Sequence, residues 1–275
     1  MHEKRILVAK LRQTTMIIYS WNMLYLNREL DRALEFIRHS DFDIFCLQEV
    51  PEAFRKSLEA LPYTSTYEID TEKVSGSAVT PMYNVILSKV PVVAQGEISF
   101  ADTWSNLPFR TRFFIFVMKP FHFSETRNRK GLYVDVDVQG IPVRLFNLHL
   151  ALAHPGQRLV EFERAMAEQD MTRQTIVCGD FNILESFHIV ILNWLLGGPV
   201  QDVIFHKKER THIEKRFMEY SLINPLRGSI THPFSRSQLD HILVPNLFSI
   251  TSASVVHDRH GSDHCPIRVE VQMKA

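Results

Sequence analysis

The sequence predicts an α/β sandwich in which mixed strands are covered by helices. Three observations carry that prediction. Short apolar runs of strand length alternate with segments whose apolar residues recur at helical spacing. Polar residues able to do chemistry stand repeatedly where an apolar strand run stops. Finally, no repeat, low-complexity tract or Gly/Ser linker divides the chain, whose ten glycines are scattered as turn punctuation. The 275 residues are enough for one large core. With 45% hydrophobic and 23% charged residues, the composition excludes intrinsic disorder, collagen-like repeats and coiled coil.

Residues 1–15 carry Lys4, Arg5, Lys10 and Arg12 among short apolar runs and lack the continuous core of a secretory signal. They read as a short N-terminal extension with a cytoplasmic start, ahead of one domain over 16–275. A strand over 16–22 leads into a helix over 28–39, where Leu30, Ala33, Leu34 and Ile37 share a face. A strand over 42–47 ends at Gln48-Glu49. Pro51 then suits a first helical position, with Phe54, Leu58 and Leu61 following on one face. The middle reads as strands at Val85–Leu87 and Phe113–Met118, then a hairpin of 132–138 and 143–150 joined through Gln139-Gly140. A helix over 157–169 places Leu159, Val160, Phe162 and Met166 inward, and the strand 175–178 ends at Gly179-Asp180. A helix near 186–196 and strands near 239–244, 250–256 and 266–272 complete the series.

Thirty-one Lys plus Arg balance thirty-one Asp plus Glu, so the chain lacks the basic excess of a dedicated nucleic-acid binder. Three cysteines, Cys46, Cys178 and Cys265, lie far apart and suggest neither a disulfide framework nor a CxxC metal site, which fits a reducing compartment. No stretch reaches the roughly eighteen consecutive apolar residues of a membrane span. Nothing calls for an obligate protein partner.

The strand-end polar residues include Glu49, Asp180, Asp240 and Asp263, with Asn22, Asn147, Asn182, His149 and His264 beside them. Hard carboxylate and carboxamide oxygens without a thiolate cluster suit Mg²⁺ or Mn²⁺ rather than zinc. Such an ion polarises a phosphoryl oxygen while Asp or His handles the proton of an attacking water. Phosphate-ester hydrolysis is the reaction class these residues point to.

In order, Trp21-Asn22, Leu47-Gln48-Glu49, Asn147-Leu148-His149-Leu150, Gly179-Asp180-Phe181-Asn182 and Ser262-Asp263-His264-Cys265-Pro266 resemble the motifs of the endonuclease/exonuclease/phosphatase superfamily of metal-dependent phosphoesterases. Ile86-Leu87-Ser88, the run from Arg129 to Val136, and Gln157-Arg158 agree with it. The resemblance implies a four-layer αββα sandwich with the site at one rim of the sheets. It implies Asn22 and Glu49 as principal metal ligands with Asp263 near the same ion, Mg²⁺ first and Mn²⁺ as substitute. Asp180 would orient or deprotonate the water, Asn182 would touch the scissile phosphate, and His264 would be the essential histidine, oriented by Asp240. His149 would contact the phosphate from the opposite side, with Asn147 and Arg158 assigned to substrate binding. Leu148 and His241 depart from the residues common at their positions.

Each residue taken alone has a simpler account. Glu49 would cap the helix after it, Asp180-Phe-Asn would be a turn, and Asp240-His241 a buried polar pair. None of these explains one ordered template. The run His206–Arg210 and the pair Lys215-Arg216 read as a solvated helix face rather than a phosphate-binding ridge. Cys178 and Cys265 read as core packing, while Trp104 and Phe109 suit a substrate wall or loop packing equally. The motifs differ from those of inositol-polyphosphate 5-phosphatases and abasic-site endonucleases. They are nearer the branch holding sphingomyelinase-like, tyrosyl-DNA phosphodiesterase-like and deadenylase-like enzymes. The expected activity is therefore Mg²⁺-dependent hydrolysis of phosphate esters, phosphodiesters first, with nucleic acid or phospholipid as candidate substrates. A nuclease or DNA-end-processing enzyme, a sphingomyelinase-like lipid phosphodiesterase and a non-catalytic binding relative are the alternatives.

Overall fold

A computed structural model describes residues 15–75, 77–101, 104, 107–119, 125–201 and 208–274. The extension read over 1–15 lies outside these apart from Thr15, as do His206 and Lys207 of the basic run. One seven-stranded sheet contains β1 (Thr15–Asn22), β2 (Ile44–Pro51), β3 (Thr64–Ser75), β4 (Ala78–Ser88), β6 (Glu125–Arg127), β12 (Phe248–Val255) and β13 (Ile267–Met273). Its order is β12-β13-β1-β2-β4-β3-β6. The second sheet has six strands in the order β10-β11-β9-β8-β7-β5, formed by β5 (Val92–Ser99), β7 (Lys130–Val138), β8 (Ile141–His149), β9 (Gln174–Asp180), β10 (Leu222–Ile223) and β11 (Asp240–Pro245).

Strand alternation explains the layering. In β1, Ile18 points to a core shared with Cys46, Ile86, Leu145, Cys178 and Ile242, which come from both sheets. Its neighbours Tyr19 and Trp21 point the other way, onto α1 (Leu30–His39) and α2 (Glu52–Glu59) through Ala33, Ile37, Phe54 and Leu58. On the far sheet Phe146, Leu148 and Val177 face outward onto α4 (Pro155–Met166) and α6 (Lys208–Glu219) through Phe162 and Phe217. Buried on both faces, the central strands read as near-continuous apolar runs. The result is the αββα sandwich the motifs imply, with all three cysteines free and buried.

Two readings of the sequence are corrected. Phe113–Met118 is not a strand but part of a helix, α3 (Phe109–Val117), packed against α5 (Val190–Leu195). Its aromatic and β-branched residues favour strands locally, but Thr111 and Ile115, four apart, bury one face of a helix. Val160 of α4 is 57% exposed rather than inward. The hairpin of β7 and β8 does form, antiparallel through Gln139-Gly140.

Strand direction gathers the polar ends. β1 and β2 are parallel, as are β8 and β9, so Asn22, Glu49, His149 and Asp180 come to the same rim. β11 runs antiparallel to β9 with Asp240 opposite Asp180, and β13 runs antiparallel to β1, bringing the loop with Asp263 and His264 beside Asn22. Gly179 makes the close approach of β9 to β8 possible: its φ is +140°, and a Cβ there would sit 1.8 Å from the Leu148 carbonyl oxygen. Gly179→Ala is therefore expected to destabilise the fold by more than about 2 kcal/mol. Urea unfolding checks this, and an unchanged midpoint would show that the two backbones separate freely.

Candidate active site

The rim residues meet in a cleft of about 620 Å³ whose lining includes Asn22, Glu49, His149, Asp180, Asn182, Asp263 and His264. Two β-bulges aim the acids. β2 slips register against β4 between Leu47 and Val50, and Glu49 adopts φ +53°, a left-handed conformation costing about 1–3 kcal/mol for a residue with a Cβ. β3 slips between Ile69 and Thr71, and the unpaired residue is Asp70, fully buried. Asn182 is also left-handed, at φ +54°, and its backbone N–H donates to Asp180 Oδ1 over 2.8 Å.

At the centre stand two imidazoles, each buttressed by a buried carboxylate. His264 Nδ1 lies 2.9 Å from Asp240 Oδ2, and His149 Nδ1 lies 2.6 Å from Asp70 Oδ2. The opposite nitrogens converge: each Nε2 is 3.8 Å from Asp180 Oδ2. That oxygen also accepts the Asn22 amide at 2.9 Å. Burial opposes charging of His264, but Asp240 and Asp180 outweigh it and push the ring up to about 10. Burial likewise opposes charging of His149, and Asp70, Asp180 and Glu49 bring it up to about 9. Both rings are imidazolium near neutral pH, donating from both nitrogens. Burial pushes the Asp180 carboxyl up, against the pull of His264 and His149.

Beside this cluster, 3.9 Å from His149 Nε2, burial works to raise the Glu49 carboxyl, but Lys73 and His149 hold it below its ordinary value, while Asp263 opposes them. Its oxygens meet the Tyr25 backbone N–H at 3.2 Å and the Asn22 amide at 3.4 Å. Asp263 faces His232, whose Nε2 is 3.6 Å away; burial raises its carboxyl, yet the hydrogen bond to His232 and the His264 charge bring it down to about 2. Among the described residues, Asp263 Oδ1 and Asp240 Oδ1 are buried without a hydrogen-bond partner. His232, Asp263 and His264 place ligand atoms close enough for one ion, as do Asp180, Asp240 and His264.

Two assignments from the sequence are corrected. Asn147 is fully buried behind the cleft, where it donates to the carbonyls of Leu47 and Val85 and accepts from Gln48 at 2.6 Å, so it ties the sheets together. Arg158 is 1% exposed, paired with Glu209 at 2.5 and 2.7 Å and donating to the carbonyls of Ala151 and Leu152. Neither lines the cleft. Arg210 is likewise buried on Glu185 and the Gln238 carbonyl, which takes it out of any exposed phosphate ridge. His241 stacks on Phe181 at 4.6 Å; burial and then the Arg210 charge hold it neutral, with its pKa well below the usual range. Trp104 does line the cleft. Missed altogether were Asp70 and His232, which sit outside every recognised tetrapeptide and owe their roles to contacts across 79 and 31 or more positions of chain.

Comparison with known proteins agrees with the architecture. A model of the Endonuclease/Exonuclease/phosphatase family matches residues 19–264. An endonuclease/exonuclease/phosphatase structure from Beutenbergia cavernae is similar with a TM-score of 0.70 and 17% identity, over 96% of this chain and 72% of that one. The human Nocturnin catalytic domain, solved with bound sulfate, gives 0.62 and 17% over 96% and 95%. A mannosyl-6-phosphatase from Bacteroides thetaiotaomicron gives 0.61 and 17% over 93% and 99%. No curated protein matches the sequence significantly.

Proposed function

The chain belongs to the endonuclease/exonuclease/phosphatase family, generally hydrolytic phosphoesterases that depend on a divalent metal, and from that premise we propose that it is a Mg²⁺-dependent hydrolase of phosphate esters, phosphodiesters first. The observation that carries the reading is the pair of carboxylate-buttressed imidazoles whose Nε2 atoms flank one oxygen of Asp180, with Glu49 3.9 Å from His149 Nε2 and Asp263 4.0 Å from His264 Nε2.

The donor set fits a hard cation. Glu49 and Asp263 are close enough for each to disfavour the other's charge, and Asp263 keeps a buried oxygen without a partner. Glu49 and Asp263 would hold the ion, Mg²⁺ with Mn²⁺ as substitute, and Asn22 would join them with its amide turned over, since its Oδ1 here accepts from the Leu24 N–H while Nδ2 faces Glu49 and Asp180. Bound there, it supplies Lewis-acid polarisation of a phosphoryl oxygen and charge for the leaving oxygen.

The remaining work falls to the side chains. Asp180, its carboxyl raised by burial, orients a water and accepts its proton as the water oxygen bonds to phosphorus. The ester oxygen opposite departs and takes a proton from solvent, to which Asp180 returns its own, and a diester yields a phosphomonoester and an alcohol. His264 and His149 donate from Nε2 to phosphoryl oxygens on either side and offset the charge of the transition state. Asn182 helps set the cleft wall, its amide donating to the Leu150 carbonyl at 2.9 Å.

Hydrolysis of bis-p-nitrophenyl phosphate, p-nitrophenyl phosphate, DNA, RNA and sphingomyelin, each with Mg²⁺, Mn²⁺ or EDTA, tests the reading. Failure on every ester with either metal would overturn it. Asp70 acts as a positioning residue, so Asp70→Asn is expected to lower kcat/KM about ten- to a hundredfold and to shift the alkaline limb of the pH profile downward as His149 loses its buttress. An unchanged profile would remove Asp70 from the mechanism.

A further inference from the structure

We propose that the mouth of this cleft docks on an anionic lipid surface and that the substrate is a phosphoester with a long apolar chain, taken from that surface. The chemistry rests on the hydrolase reading above; the docking does not.

The observation is α3, a helix with an apolar stripe on its wet side. A surface helix ordinarily turns its apolar face inward and leaves charge outside. Here Thr111 and Ile115 are buried inward, yet Phe109, Phe113, Phe116 and Val117 are 77%, 57%, 65% and 51% exposed. These four fall at i, i+4, i+7 and i+8, one continuous stripe. Arg112 and Lys119 are exposed along one edge of it, and the Lys119 ammonium lies 5.3 Å from the Phe116 ring centroid. The helix carries no acidic residue. An apolar face edged by cations is the pattern of a helix resting in a membrane interface.

The stripe is joined to the catalytic cleft. Ile115 on the inner side of α3 lines the cleft, as do Ile189, Leu192 and Leu196 of the 3₁₀ turn Phe187–Ile189 and the α5 segment against which α3 packs. That second segment also turns apolar residues outward, with Phe187 77% and Ile191 68% exposed. Phe234, 76% exposed, lines the cleft, and its carbonyl is 3.0 Å from His188 Nε2 of the same 3₁₀ turn. Apolar surface thus runs from outside the protein into the cleft, to the polar end where Asp180 and His264 stand. A folded partner, or a second copy of the chain, would close that mouth. A lipid surface covers the aromatic residues and delivers substrate through it. Arg112 and Lys119 complement anionic headgroups, and an apolar channel ending at phosphate-binding groups matches a lipid phosphoester, polar at one end and apolar along its length.

The test uses the full chain in EDTA, so that binding is read without turnover. Sedimentation with phosphatidylcholine vesicles, with and without phosphatidylglycerol, should show binding that the anionic lipid strengthens. Phe113→Ser/Phe116→Ser should raise the lipid concentration for half binding about tenfold or more. Arg112→Glu/Lys119→Glu should abolish the gain from phosphatidylglycerol. Both variants should keep the wild-type melting temperature and wild-type hydrolysis of soluble bis-p-nitrophenyl phosphate with Mg²⁺. No sedimentation of the wild type, or equal sedimentation of the aromatic variant, would overturn the docking. So would a concentration-dependent dimer, lost in that variant and unable to bind vesicles. Vesicle binding without hydrolysis of any ester would leave docking intact and sink the hydrolase reading. Hydrolysis of a short-chain soluble ester in preference to its long-chain counterpart in vesicles would overturn the substrate class.

Discussion

Glu49→Gln is expected to abolish high-affinity Mg²⁺ binding and to lower turnover about a thousandfold or more, since the Lewis acid contributes several kcal/mol to the barrier. The substitution changes one oxygen to an amide at nearly constant volume, so the cleft keeps its shape. The amide can still accept from the Tyr25 backbone N–H, now at 3.2 Å. It removes the repulsion from Asp263 that a bound cation relieves, but also the attraction of Lys73 and His149, which outweighs it and holds the carboxyl below its ordinary value. The apo protein should therefore unfold somewhat more readily than the wild type near neutral pH. Calorimetric titration with Mg²⁺ and Mn²⁺, beside steady-state kinetics, separates the outcomes. Undiminished metal affinity would remove Glu49 from the ligand set. Lost turnover with intact affinity would move it from the ion to the substrate.

The bulge that aims Glu49 also marks where sequence reasoning stops. The Leu-Gln-Glu word was legible because apolar β2 ends in polar residues, and the same holds for Asn22 at the end of β1 and Asp180 at the end of β9. A bulge has no such signature: it adds one unpaired residue whose position depends on β4 as well as on β2. Asp70 shows the consequence. It stands inside a strand that the sequence reading passed over, at a register slip, and its partner His149 is 79 positions away on the other sheet. Asn147 shows the converse. It shares with His149 the face of β8 that turns to the other sheet, but it sits two residues further from the strand end, so Asn147 is buried between the sheets and ties strands together while His149 reaches the cleft. α3 was misread for a related reason. Its aromatic residues look strand-like when the apolar pattern carries two stripes, one for the core and one for the exterior. Motif chemistry was thus readable wherever a strand end is a local event. It was lost wherever a role arises from contacts between distant strands.

Asp240→Asn should reduce kcat about a thousandfold or more while leaving KM within a fewfold of wild type. Asp240 Oδ2 accepts from His264 Nδ1 at 2.9 Å, which fixes the ring and, after burial has opposed it, is among the interactions that push the imidazole up to about 10. With that pKa raised above its unfolded value, the ring's stabilisation is present below the unfolded pKa, near 6.5, and is lost as pH rises through about 10. An asparagine there supplies no charge, and its amide can present either oxygen or hydrogens to Nδ1. Desolvation of the buried ring then acts with one counter-ion fewer, and His264 spends more of its time neutral near pH 7. A neutral ring protonated on Nδ1 presents a lone pair at Nε2 towards Asp180 and the phosphoryl group, where the reaction needs a donor. The variant should still fold but lose part of the stability that the pair with His264 supplies near pH 7, because removing one partner of a buried ion pair leaves the other poorly compensated. The expected signature is a folded, metal-binding and nearly inactive protein whose His264 ring titrates closer to neutrality, read by ring-nitrogen NMR beside kcat and KM. Wild-type turnover would remove Asp240 from the mechanism. Loss of the folded state or of Mg²⁺ affinity would instead make Asp240 a structural anchor of the loop that carries Asp263.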